Sequence, residues 1–119
     1  MIRIIRLTVL IGSLACGLPI VALAQDAMQY GVKHLKVLAE DDKVRVLLYT
    51  PGPGDKTPVH SHPSNVVYVI KGGRVKFTMP DGSTRESEMK SGDVLLRPPV
   101  THSDEAIDSV EALLIELKK

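Results

Sequence analysis

The sequence predicts an all-β fold, and three observations support this prediction. After residue 24, short apolar runs rich in β-branched and aliphatic residues alternate with turn residues. The turn residues recur at short, regular intervals, and no repeat, low-complexity tract or internal linker interrupts them. Such spacing is typical of an antiparallel sandwich or barrel.

Seven strands are expected, in the order 33–38, 43–50, 66–71, 74–79, 84–89, 93–97 and 112–118. Each is bounded by residues that tolerate a positive φ or fix a turn. These separators are Asp41-Asp42, Pro51-Gly52-Pro53-Gly54, Gly72-Gly73, Pro80-Asp81-Gly82-Ser83 and Ser91-Gly92. For the last element a helix over 111–119 is the alternative, because Leu, Ala, Glu and Lys favour helices.

The apolar runs also predict a core. The residues expected to be buried include Val67, Val69, Val75, Phe77, Val94 and Leu96. A single core in a chain this short is modest, so we expect a homodimer that buries an outer sheet face.

Residues 1–24 have the pattern of a secretory signal peptide. Arg3 and Arg6 form a basic start, residues 7–21 are apolar, and Ala22-Leu23-Ala24 supplies small residues before a cut at Gln25. A membrane anchor is the alternative, but Pro19 interrupts a segment that is already short for crossing a bilayer. We therefore expect an exported protein, periplasmic or secreted, with residues 25–119 as one domain.

Cleavage changes the composition. Removing 24 residues, which include Arg3 and Arg6, from the 119 leaves 95 residues with 13 basic and 14 acidic side chains. The basic residues are scattered among acidic ones, so no nucleic-acid partner is expected. No membrane contact is expected after cleavage. Because Cys16 leaves with the leader, the mature chain has no disulfide and depends on packing for its stability.

Three of the four histidines suggest a metal site. On an extended chain His60 and His62 point the same way, so both imidazoles can approach one ion. His102 follows the apolar segment from Asp93, and pairing across a small barrel can bring it to them. The alternative is a solvated histidine pair in a polar loop. His34 has no partner nearby in the sequence and is expected at the surface or a sheet edge.

Each histidine segment also matches a longer motif. In the first, a glycine and five residues precede His-x-His, and a glutamate and a further glycine follow. Gly54, the residues DKTPV, His60 and His62 match its first half, and the hairpin at Gly72 closes it.

The second motif is a glycine, five residues, Pro-x-Gly, two residues and a histidine. Gly92, the residues DVLLR and Pro98 match it, and His102 follows. With both motifs in order over residues 32–118, the chain resembles the cupins, which are small jelly-roll β-barrels. The resemblance implies a single cupin domain of the cupin 2 type with His60, His62 and His102 as metal ligands.

The sequence departs from both motifs. The glutamate ligand of the family would fall at Asn65 or Val66, of which Asn65 offers an amide oxygen as a weaker fourth ligand and Val66 offers none. The second motif is one residue short before His102 and lacks its glycine. His102 is still expected to point inward.

A three-histidine site suits Fe, Mn, Ni, Cu or Zn as a divalent ion. The resemblance implies a metal-dependent oxygenase or isomerase that acts on a small molecule. The alternative is a non-catalytic cupin that binds metal or a small ligand, since fold alone does not choose between them. Tyr68 is a candidate for the substrate pocket, and Arg97 is expected on the outer face.

Overall fold

The computed structural model describes residues 26–119, which form an antiparallel β-barrel of jelly-roll type. The prediction of an all-β fold is confirmed. The expected signal peptide, residues 1–24, and its expected cleavage site lie outside the described residues. No helix within residues 26–119 is long and apolar enough to cross a membrane.

The described chain begins with a 3₁₀ turn and continues with nine strands. The turn is Ala27–Tyr30, and Asp26 caps it by accepting a hydrogen bond from the Met28 amide. The strands are β1 Leu35–Glu40, β2 Val44–Tyr49, β3 Lys56–His62, β4 Asn65–Lys71, β5 Gly73–Thr78, β6 Thr84–Met89, β7 Val94–Arg97, β8 Val100–Ala106 and β9 Glu111–Leu117.

The strands form two sheets that enclose the core. One sheet has the order β1-β2-β9-β4-β7, and the other has the order β3-β8-β5-β6. The core between them includes Leu47, Val67, Val69 and Val75, all almost fully buried. Strands β6 and β7 are edges of different sheets, and residues of both line one cavity, so the barrel is open between them.

All seven expected strands are present, with ends shifted by two residues at most. The helical alternative for residues 111–119 is wrong, because β9 is a strand paired with both β2 and β4. Two further strands, β3 and β8, were missed. They contain Pro58 and a run of polar residues, which are depleted in strands, and their inward polar side chains build the site described below.

Four of the six residues expected in the core are buried, namely Val67, Val69, Val75 and Phe77. The prediction for Val94 and Leu96 is wrong, since they are 62% and 81% exposed. In β7 the other two residues, Leu95 and Arg97, are the less exposed pair. A run of four apolar residues does not reveal which alternate set faces inward.

Candidate metal centre

Strands β3 and β8 bring three histidines together. His60 lies directly opposite His102 in this antiparallel pair, and His62 follows two residues later on the same side of β3. The strand register shifts between Thr57 and His60, which is the position of a β-bulge. The bulge changes which alternate side chains of β3 face the core, and after it both β3 histidines point inward. All three side chains are buried.

The three rings contact one another. The Nε2 atoms of His60 and His62 are 2.9 Å apart. The ring centroids of His60 and His102 are 4.8 Å apart, and those of His62 and His102 are 5.5 Å apart. One nitrogen from each ring lies within 4.8 Å of the others, a separation that one shared ion can span.

The opposite nitrogens of two rings are held by acceptors. His60 Nδ1 lies 2.7 Å from the carbonyl oxygen of Pro58, and His62 Nδ1 lies 2.6 Å from Glu116 Oε2. An acceptor at Nδ1 requires a proton there, so a neutral ring presents an unprotonated Nε2. Two such Nε2 atoms at 2.9 Å need a cation between them, either one extra proton or a metal ion.

A chain of charged groups supports His62. Glu116 is 2% exposed and accepts a hydrogen bond from Arg45 Nε at 2.7 Å, while Arg45 also pairs with Asp26. Burial raises the pKa of Glu116, but the bonds from His62 and Arg45 outweigh it and hold that pKa below its usual value. A carboxylate behind a histidine fixes its tautomer and increases its basicity as a ligand.

Burial keeps the other two rings neutral. It lowers the pKa of His60, and it lowers the pKa of His102 to about 3, with a smaller contribution from the nearby charge of Arg97. The ring of His102 stacks on Phe77, with centroids 4.9 Å apart and planes at 27°. Neutral imidazoles are the form that binds metal.

Comparison with solved structures finds this barrel in other proteins. A cupin domain from Bordetella pertussis Tohama I aligns at a TM-score of 0.65 and 25% identity, covering 71% of this chain and 92% of that one. A cupin-like protein from Thermotoga maritima MSB8 aligns at a TM-score of 0.53 and 28% identity. The alignment covers 69% of this chain and 65% of that one. No protein-family model matches the sequence, and a comparison with curated proteins finds no match.

This chain is a member of the cupin superfamily. An RmlC-like cupin from Methanocaldococcus jannaschii with a double-stranded β-helix fold, at 20% identity and a TM-score of 0.56, agrees in fold. The cupin fold and the buried histidine cluster together fit a metal-binding cupin. The two motif glycines also have a structural reason, since Gly54 and Gly92 adopt φ values of 84° and 89° that side chains disfavour.

Asn65 is one of the two residues at which the glutamate of the cupin motif would fall. It is the first residue of β4 and is 4% exposed, whereas Val66 points to the other face of the strand. Its Nδ2 donates to the Pro63 carbonyl, and its Oδ1 is the buried side-chain polar atom in residues 26–119 that lacks a hydrogen-bond partner. An unpaired oxygen in the histidine cavity suits a fourth metal ligand.

The histidines line an inner cavity of about 30 Å³, which has room for an ion or a water molecule rather than a substrate. Tyr68 does not line it, because Tyr68 is 43% exposed on the outward side of β4. The structure thus gives no support to Tyr68 as a pocket residue. The prediction for Arg97 is wrong, because Arg97 points inward from β7 and lines the cavity.

His34 is not at the surface, as the sequence suggested, but lies in a second buried network. Its Nε2 is 2.9 Å from Thr57 Oγ1, and Thr57 and Tyr49 both donate to Asp104 Oδ1 at 3.1 Å and 2.8 Å. The other oxygen of Asp104 lies 3.8 Å from His60 Nε2. Asp104 therefore connects this network to the histidine cluster.

Sequence reasoning missed Asp104, Glu116 and Arg45. The signal available for Asp104 was its spacing of two residues from His102, which places both side chains on one face of a strand. The signal for Glu116 was a charge within a strand otherwise rich in Leu and Ile.

Proposed function

We propose that this protein is an exported cupin that holds one divalent transition metal ion on His60, His62 and His102 and acts on a small molecule as an oxygenase or isomerase. The observation that carries the proposal is the pair of Nε2 atoms 2.9 Å apart, each on a ring whose Nδ1 faces an acceptor. When bound, such an ion polarises an oxygen atom of a ligand or acidifies a water molecule.

The chain's own residues have distinct roles in this proposal. His60, His62 and His102 bind the ion, and Asn65 Oδ1 offers a neutral fourth oxygen. Glu116 orients His62 by accepting a hydrogen bond from His62 Nδ1, which lies 2.6 Å from Glu116 Oε2. Phe77 limits water at the open side by covering His102.

The test is metal content and affinity in purified wild-type protein and in His60→Ala. We expect one metal ion per chain for the wild type, and an affinity lower by more than about 100-fold for the variant, which exceeds the effect of a lost supporting residue. His34→Gln is the matched control, because His34 lies outside the cluster. Equal, weak binding by all three proteins would refute the proposal.

Export is supported by the basic, apolar and small-residue pattern of residues 1–24. Cell fractionation and N-terminal sequencing test it, with a mature chain starting at Gln25 as the expected result. Retention of Met1 in membrane-embedded protein would contradict export.

We also propose a homodimer that buries the outer face of strands β2, β9, β4 and β7. The outward positions of four adjacent strands form two cross-strand rows without a charge. One row is Val46, Ile115, Val66 and Leu96, and the next is Leu48, Leu113, Tyr68 and Val94.

An antiparallel sheet that faces water normally has polar residues on that face. A second copy fits this apolar face, because a twofold axis matches uncharged rows to uncharged rows with no unpaired charge buried.

Val94→Glu should therefore produce monomers in sedimentation equilibrium. Val59→Glu, at a residue 54% exposed on the other sheet, should leave the dimer intact. A monomeric wild type, or a dimeric Val94→Glu variant, would refute this interface.

A further inference from the structure

A second, wider cavity opens next to the histidine cluster. It has a volume of about 420 Å³, which lies in the range of small-molecule sites. It lies at the opening between the edge strands β6 and β7, and we call it the outer groove. Four residues line both it and the inner cavity, namely Phe77, Arg97, Val100 and His102. A ligand in the outer groove therefore reaches His102.

Two arginines line the outer groove from opposite strands. Arg97 comes from β7, and its guanidinium carbon lies 5.4 Å from the centre of the Phe77 ring. Arg85 comes from β6, where it pairs with Phe77 of β5 and so faces the same side as that buried residue. The outer groove thus has a positive charge on each side.

In the part of the chain that the structure describes, neither arginine has a carboxylate partner. Among residues 26–119, Arg45 pairs with Asp26 and Glu116, and Arg74 pairs with Asp108 and Glu86. Within this described range, no carboxylate oxygen lies within 4.0 Å of Arg85 or Arg97, and no acidic residue of it lines the outer groove. Among residues 26–119, Arg85 and Arg97 therefore differ from Arg45 and Arg74 in having no carboxylate partner.

The position of Arg97 makes its lack of a partner costly. Burial lowers the pKa of Arg97, and the charge of Arg85 lowers it further. The Phe77 ring offsets part of this cost through a cation–π contact, which does not neutralise the charge. A bound anion would neutralise the charge of Arg97. Arginine is suited to carboxylates because the planar guanidinium can donate to both carboxylate oxygens.

The rest of the outer groove is mostly apolar. Apart from the two arginines, Ser87 and His102, its walls are Phe77, Met79, Leu95, Leu96, Pro98, Pro99 and Val100. An inorganic anion would leave these walls in contact with water. An organic anion with an apolar body would cover them while its charge pairs with arginine.

We propose that the outer groove binds a small organic carboxylate, with the carboxylate on Arg97 and Arg85 and an apolar body along the Phe77 wall toward His102. This names the substrate class of the metal site, and the ligand's role as substrate rests on the proposed function above. Binding of the carboxylate itself does not require the metal.

The test is calorimetric titration with benzoate, with benzamide as its neutral analogue and sulfate as an anion without an apolar body. Wild-type protein should bind benzoate at least about tenfold more tightly than either, since a charged hydrogen bond and the apolar contact each contribute. Arg97→Gln should remove the preference for benzoate. Arg85→Gln should weaken benzoate binding about threefold, because Arg85 is the more exposed of the two.

Three controls make the result specific. Arg74→Gln, at an exposed arginine that already has carboxylate partners, should bind benzoate like the wild type. Arg97→Lys keeps the charge without the fork, so its affinity should lie between wild type and Arg97→Gln. It also tests the proposal if the glutamine variant does not fold. His60→Ala should lose metal but keep benzoate binding, because His60 lies outside the outer groove.

Equal affinity for benzoate and benzamide, or unchanged benzoate binding in Arg97→Gln, would overturn this proposal. Sulfate binding as tight as benzoate binding would overturn the apolar part of it. Neither result would bear on the metal, which is measured separately in the same samples.

Discussion

The barrel contains two groups of buried histidines, and they differ in how their nitrogens are satisfied. In the His34 network, Nε2 meets a threonine hydroxyl, and that hydroxyl continues to Asp104. In the His60, His62 and His102 cluster, two Nε2 atoms meet each other at 2.9 Å. A hydrogen-bonded network is a complete structural unit, whereas nitrogens that face each other require a cation. This difference favours a structural role for His34 and supports the metal site proposed for the cluster.

Breaking the support behind the cluster should have the largest effect. Glu116→Gln keeps the size of the side chain but removes the charge that His62 and Arg45 share. Metal affinity should fall about 10- to 100-fold, as for other residues that orient a metal-bound histidine. The free energy of unfolding of the metal-free protein should fall by about 3 kcal/mol, because Arg45 loses a buried partner.

Metal titration and urea unfolding of the Glu116→Gln variant measure both effects. Glu86→Gln, at an exposed carboxylate that pairs with Arg74 at 3.8 Å, is the matched control and should change neither. Unchanged metal affinity in Glu116→Gln would mean that the carboxylate does not act through His62.

The complementary change is in the other network. His34→Ala removes one of the two hydrogen-bond partners of Thr57 Oγ1 in a buried site, so the free energy of unfolding should fall by about 1–3 kcal/mol. Metal stoichiometry should stay at the wild-type value. Urea unfolding and metal analysis of the same sample separate the two. Loss of metal with unchanged stability would reverse the assignment of the two groups.

Acidification should weaken the metal-free protein. Burial holds the pKa of His102 near about 3, below the 6.5 of an unfolded histidine. As the pH falls from 6.5 toward 3, the unfolded chain gains a proton that the folded chain does not, so the free energy of unfolding decreases. The lowered pKa values of Asp26 and Glu116 act in the same direction at the acidic end.

Urea unfolding at about pH 7.5, 5.5 and 4.5 measures this slope. His102→Gln has no titrating ring at position 102, so the decrease in its free energy of unfolding from about pH 7.5 to about pH 4.5 should be smaller than that of the wild type. Equal slopes would show that His102 does not remain neutral in the folded protein.

The smallest effect is expected at Asn65. Asn65→Ala removes a neutral oxygen, which contributes little beside three imidazoles, so metal affinity should fall by less than about tenfold. The metal-free protein should not lose stability through Oδ1, because that atom has no hydrogen bond to lose. A drop as large as that of His60→Ala would make Asn65 an essential ligand.

Most of the strands were predictable because turn residues mark where each of them begins and ends. The exceptions were β3 and β8, whose inward faces hold His60, His62, His102 and Asp104 in place of apolar residues. A strand whose inward side chains form a functional site lacks the apolar composition that identifies a core strand. The cupin motifs still located the histidines of β3 and β8, since glycine positions and histidine spacing depend on backbone geometry rather than on hydrophobicity.

Side-chain direction was less predictable. Strands β4, β7 and β9 carry apolar residues on both faces, so alternation could not show that Arg97 and Glu116 point inward or that Val94 and Leu96 point outward. The hydrogen-bond partner of the His34 ring, Thr57, is 23 residues away along the chain, beyond any local pattern.

The central claim is that three imidazoles bind one ion. X-ray absorption of the protein loaded with nickel or zinc measures it directly. The account predicts three imidazole nitrogens on the metal at about 2.0–2.1 Å in the wild type and two in His102→Gln. A spectrum with a single imidazole among oxygen ligands, unchanged by His102→Gln, would contradict it.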